Sequence, residues 1–207
     1  MADSISFLGS DDLDRLYSPP GEPVLRAIKS HLTDFHVEYL RQATFFVLST
    51  GNGTGLDASP RGGSPGLVQI LDRRTVCFAD WPGNNKIESL RNIVRFPQVG
   101  MLFLFPGLDI FMRINGRAGV TTDAAVLDRL KEGARVPKAA VVVTVEEILF
   151  HCGRAINRAG LWTTEAHLDR KSLPSAGVMM KALADIEDVP AEDLDQAYAK
   201  GMVEDLY

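Results

Sequence analysis

Between Phe45 and Val145 the chain breaks into short apolar runs separated by Pro- and Gly-rich turns, a spacing that suits strands and leaves room for few helices. Residues 45–50 end in Gly51-Asn52-Gly53-Thr54-Gly55, and residues 56–59 break at Pro60-Arg61-Gly62-Gly63-Ser64-Pro65-Gly66. Residues 67–71 turn through Asp72-Arg73-Arg74 into residues 75–79. Residues 99–105 are apolar throughout, and residues 140–145 run on toward His151. Residues 110–118 alternate, with Arg113, Asn115 and Arg117 on one face and Met112 and Ile114 on the other. No βαβ rhythm joins these six or so runs, so the expectation is an antiparallel barrel with flanking helices.

Helical periodicity lies mostly outside this block. Asp11-Asp12-Leu13 opens a short helix, Pro23 fits the first turn of a second, and Val24, Ile28, Leu32, Phe35 and Leu40 supply apolar stripes. Residues 121–132 read as a helix capped by Thr122 or Asp123, burying Val126, Leu127 and Leu130. A last helix starts at Ala191. The chain divides as a helical extension over 1–42, a barrel over 43–152 and a helical tail over 153–207, all in one domain.

A net charge of -5 argues against non-specific attraction to nucleic acid or anionic membrane. No apolar run reaches the length of a membrane span and Met1-Ala2-Asp3-Ser4 does not open a signal peptide, so a cytoplasmic protein is expected. Cys77 and Cys152 sit in apolar runs without paired spacing, which predicts buried thiols rather than a metal site or disulfide. His31 and His36 lack the i, i+4 spacing of metal ligands and read as structural.

Chemistry concentrates at Asp80-Trp81-Pro82-Gly83-Asn84-Asn85-Lys86, where a strand breaks before a helix. Ile87, Leu90 and Val94 recur at helical spacing, Asn84 or Asn85 is the candidate N-cap, and Glu88 completes a capping box with Asn85. Lys86 in the first turn opposes the macrodipole, a cost that a bound anion reverses. Arg61 and Lys86 fall at the ends of strands that are adjacent in an up-and-down order once residues 68–71 are inserted between them, and can converge on one anion. Without one, such side chains make solvated surface pairs of little worth.

The order of these motifs resembles the flavoprotein superfamily of pyridoxamine 5′-phosphate oxidase, and most closely an uncharacterised FMN-dependent branch of it. The resemblance rests on residues 57–62, residues 78–86 with Ser89-Leu90-Arg91-Asn92, Phe96-Pro97-Gln98-Val99-Gly100, and residues 113–118. It implies a six-stranded Greek-key split barrel of the FMN-binding type and a homodimer with FMN in a groove shared by two subunits. It carries Asp57, Ala58, Ser59 and Arg61 over as contacts along the flavin and ribityl chain. Ala79, Asp80, Asn84, Asn85 and Lys86 are carried over at the phosphate.

The family often has Arg-Lys where this chain has Asn85-Lys86, which asks Arg61 for the missing charge. Phe111 stands where the oxidases place a glutamine near the ring, and Arg113 is the nearest polar substitute. Residues 151–154 with Leu161-Trp162 are similar to the branch's closing segment, which brings Arg154 and Trp162 to the flavin across the dimer. The Arg-x-His substrate motif of the oxidases is absent, so pyridoxamine phosphate is not the expected substrate. The resulting expectation is an FMN-dependent oxidoreductase acting on a small molecule or electron acceptor, with no metal, nucleic acid or membrane partner. The alternatives are a non-catalytic flavin- or haem-binding protein, with His151 as haem ligand, and an F420-dependent reductase.

Overall fold

The structure is a computed structural model that describes residues 5–81, 83 and 85–204. Its centre is one antiparallel sheet of seven strands: β1 (Phe45–Gly51), β2 (Leu56–Gly62), β3 (Val68–Asp72), β4 (Thr75–Asp80), β5 (Gln98–Leu104), β6 (Ile110–Thr121) and β7 (Ala139–Cys152). The count is seven where six were expected. The segment 56–62 has no apolar alternation, yet it pairs with β1 along its whole length, through Pro60 and Arg61 to Gly62. A proline is tolerated there because β2 is an end strand, where a missing N–H can face away from the only neighbour.

The strand order is β2-β1-β5-β6-β7-β4-β3. Three consecutive strands, β5 to β7, are joined by β4 returning beside β7, a Greek-key arrangement. The sheet curls round its core: the Phe46 ring on β1 meets the Phe78 ring on β4 at 5.1 Å. Among the described residues the end strands β2 and β3 share no ladder, so the pairing leaves an open seam.

Strand alternation explains the core. Phe46 and Leu48, Val76 and Phe78, Met101 and Phe103, and Met112 and Ile114 all point inward and are buried. Two helices close the core, α3 (Asp34–Gln42) through Leu40 and α4 (Glu88–Arg95) through Ile93. On the opposite face of β4, Cys77 and Ala79 join Leu130 and Ala140 in a smaller cluster beside α5 (Ala124–Arg129). That helix is shorter than the sequence suggested because β6 runs on to Thr121 and Asp123 caps its start, accepting from Ala125 and Val126 N–H.

The N-terminal helices, Ser10–Leu16 and Glu22–Ala27, bury no residue, so Val24 is exposed, as is Phe35 further on. Beyond β7 a short helix, α6 (Arg154–Ala159), precedes a hairpin of α7 (Ala176–Leu183) and α8 (Ala191–Glu204). These two approach so closely that a Cβ on Gly177 would fall on the Ala191 carbonyl. Of the cysteines expected to be buried, Cys77 is, and Cys152 is exposed at the end of β7.

Candidate functional site

Register with β1 decides where the polar side chains of β2 point. Asp57, Ser59 and Arg61 stand opposite Thr50, Leu48 and Phe46, which are all buried, and they are themselves half-buried. Leu56, Ala58 and Pro60 alternate with them and are exposed. An acid, a hydroxyl and a guanidinium therefore line the inward face of an end strand, beside the open seam.

The seam brings Asp80, the last residue of β4, into the same group. Burial draws the Arg61 pKa below its usual value, and the Asp80 and Asp57 carboxylates pull it back. Burial likewise pushes the Asp80 carboxyl up, against the opposing pull of Arg61 and Lys138. Arg61 also donates to Ser59 Oγ and, at 2.9 Å, to the Pro60 carbonyl. Its charge thus lies in the field of two carboxylates, where the sequence reading had it converge with Lys86 on an anion.

Helix α4 is anchored on this group by side chains rather than by apolar packing alone. Ser89 Oγ donates to Asp57 Oδ2 at 2.6 Å and lies 3.4 Å from Ser59 Oγ, while Asn92 Nδ2 donates to Thr50 Oγ1 at 3.0 Å. Thr50 and Asp57 are a cross-strand pair, so one helix face grips both strands of the β1–β2 hairpin.

The helix begins at Glu88 with Ile87 in the capping position, and no side-chain cap bond is made. Neither the Asn85 cap nor its capping box forms; Asn85 instead occupies the left-handed region at φ 59°. Lys86 is exposed and precedes the helix rather than lying in its first turn. It is three residues from Ser89, so its backbone stands within about 11 Å of a residue bonded to Asp57. Asn84 lies outside the described residues.

Other expected residues are elsewhere. Ala79 faces the cluster beside α5, away from Asp80. Arg113 is on the outward face of β6, paired with Glu147, which also accepts from Asn115 Nδ2 at 3.1 Å. A bulge at Asn115/Gly116 creates this arrangement by leaving both Glu146 and Glu147 outside the core between buried Val145 and Ile148. His151 sits near this pair, its pKa lowered by burial and by Arg113 and raised by Glu147. Arg154 is exposed at the start of α6, and Trp162 Nε1 donates to the Leu108 carbonyl at 3.0 Å beyond the β5–β6 turn.

Within one chain, then, the structure gathers Asp57, Ser59, Arg61 and Asp80, with Lys86 at the margin, and sets Arg113 on the other face of the sheet. Ser89, Asn92 and Glu147 were not expected at a site. Two polar residues at i, i+3 on the apolar side of a helix were the available signal for the first two. No group of three or more metal-ligating side chains occurs among the described residues, and no described helix is long and apolar enough to cross a membrane.

Residues 32–152, more than half of the chain, match the family model for pyridoxamine 5′-phosphate oxidase. The chain belongs to the pyridoxamine 5′-phosphate oxidase family. Its matched segment spans all seven strands and the polar group at the seam. Similar solved structures include HupZ of Group A Streptococcus, 20% identical over 56% of this chain and 92% of that one, with a TM-score of 0.43. The FAD binding protein of Mycobacterium smegmatis is 16% identical over 59% of this chain and 97% of that one, with a TM-score of 0.41. General Stress Protein 26 of Bacillus anthracis is 15% identical over 55% and 88%, with a TM-score of 0.41. No curated protein matches the chain.

Proposed function

We propose that this member of the pyridoxamine 5′-phosphate oxidase family is an FMN-binding flavoprotein, an oxidoreductase that acts on a small molecule other than pyridoxamine phosphate. One observation carries the reading. Polar side chains of both hydrogen-bonding senses line the inward face of β2 at an open seam, where a closed barrel would bury apolar ones. The donor set fits such a cofactor: Asp57 and Asp80 can accept from ribityl hydroxyls, Ser59 and Arg61 can donate to carbonyl oxygens, and Lys86 supplies a cation for the phosphate. The flavin, when bound, supplies hydride or electron transfer, and the protein orients it and sets the polarity around it.

Because Arg61 already donates to Ser59 Oγ and the Pro60 carbonyl and feels the charges of Asp80 and Asp57, the phosphate in this reading rests on Lys86 and its turn more than on Arg61. The reading extends to a homodimer in which the outward sheet face meets a second copy. Arg113 and Leu102 are opposite one another on that face, Leu102 is exposed, and Arg113 Nε is enclosed without an acceptor. Arg154 and Trp162 then belong to the cofactor site of the partner.

Purified protein freed of small molecules and titrated with FMN, F420 and haem tests the cofactor. Flavin absorbance with quenched fluorescence for FMN, and neither an F420 complex nor a Soret band, is the expected result. Reduction of the bound flavin by NAD(P)H and reoxidation by an added acceptor then separates an enzyme from a carrier. Protein that binds no FMN at any accessible concentration rules the proposal out.

A further inference from the structure

Two buried polar side chains on α4 have no part in an ordinary helix-to-sheet contact. Ser89 and Asn92 are 5% and 8% exposed, and both spend their hydrogen bonds on the β1–β2 hairpin rather than on their own helix. Ile93 already supplies the apolar attachment. Apolar packing tolerates sliding, whereas two directional bonds to a cross-strand pair fix both the height and the rotation of the helix. The Asp57 carboxylate makes the Ser89 bond charge-assisted, the stronger kind. It joins the helix to the same strand face that carries Ser59 and Arg61.

We propose that Ser89 and Asn92 are positioning residues that set the span between the polar face of β2 and the Lys86 turn. Through that span they give the site its preference for a phosphorylated flavin over an unphosphorylated one. The inference rests on the flavin reading above. A flavin nucleotide is a ligand of fixed length with a ring at one end and a dianion at the other. The strand and the turn can hold both ends only when their separation matches it. Ser89 stands three residues beyond Lys86 and donates to Asp57, four residues before Arg61 on the same strand face, so it ties the turn to that face through one hydrogen bond.

Affinities for FMN and riboflavin, measured side by side by fluorescence quenching, test this. The wild type is expected to prefer FMN. Ser89→Ala should weaken FMN about tenfold and riboflavin by less than about twofold, and Ser89→Thr, which keeps the hydroxyl, should restore the preference. The paired change Thr50→Val with Asn92→Leu removes both partners of the second bond and so leaves no buried polar atom unsatisfied. It guards against simple unfolding, with a cooperative melt as the check, and should also narrow the ratio. Equal losses for both ligands in these variants would mean plain structural anchoring and overturn the inference. A wild type that binds both flavins equally would overturn it while leaving the flavin reading intact. Binding of neither would remove the flavin reading itself.

Discussion

Phe46 and Phe78 meet edge to face at 5.1 Å although β5, β6 and β7 separate their strands in the sheet. This contact across the core marks how far the sheet curls, and it lies beneath the seam where Arg61 and Asp80 act on one another. Phe46 pairs directly with Arg61 across β1 and β2, so the apolar closure and the polar group share one support.

Phe46→Ala should therefore cost about 3 to 5 kcal/mol of stability, the range for a fully buried phenylalanine truncated to alanine. Chemical denaturation measures this. A loss below about 1 kcal/mol would mean that the two strands do not meet in solution.

Lys86→Ala is expected to weaken FMN about tenfold or more, while Lys171→Ala, an exposed lysine in the tail, leaves the affinity unchanged. Titration in a low-salt buffer gives the cleanest comparison because surface electrostatics are screened as salt rises. Equal affinities in the two variants would take the phosphate away from the Lys86 turn.

The His151 imidazole reports on the pair beside it. Glu147→Gln removes the charge that raises its pKa and should lower it further, whereas Arg113→Met removes a charge that lowers it and should raise it. An NMR titration of the ring resolves the two directions. Shifts of the same sign would place His151 away from the Arg113–Glu147 pair.

His36 should make the fold acid-sensitive. Its ring is buried, stacks on Phe150, and accepts the Thr33 N–H through Nδ1 at 3.1 Å, which needs that nitrogen unprotonated. Burial lowers its pKa from the usual 6.5, and His31 and Lys29 lower it further. The folded state thus resists a proton that the unfolded chain takes up, so stability is full above the usual value and falls as pH drops through and below it. His36→Gln should flatten that acid limb in melts between neutral pH and pH 5; an unchanged limb would assign the loss to other groups.

The strands of the barrel block were legible because their apolar residues alternate or run together between Gly and Pro turns. Residues 45–50 and 75–79, read as strands, lie within β1 and β4. Less legible was β2, whose residues 56–62 bear polar groups on the inward face, the reverse of what a buried strand advertises. The convergence of Arg61 with Asp80 was hidden for another reason. Their strands are not neighbours, and only the curl of the sheet brings them within electrostatic reach. The start of α4 is not marked in the sequence, because Asn85 takes a left-handed conformation and the first helical turn begins past Lys86. The outward pairing of Glu147 depends on a bulge, and one extra residue in a strand leaves no mark in its composition.

Pro60 has a wider consequence than its place in β2 suggests. Lacking a donor at the middle of an end strand, it spoils the template that a second polypeptide would need in order to add itself to the sheet. The same missing donor leaves β2 one hydrogen bond short of what a ladder with β3 would need across the seam. One imino acid thereby blunts an exposed edge at the very strand that carries Asp57, Ser59 and Arg61.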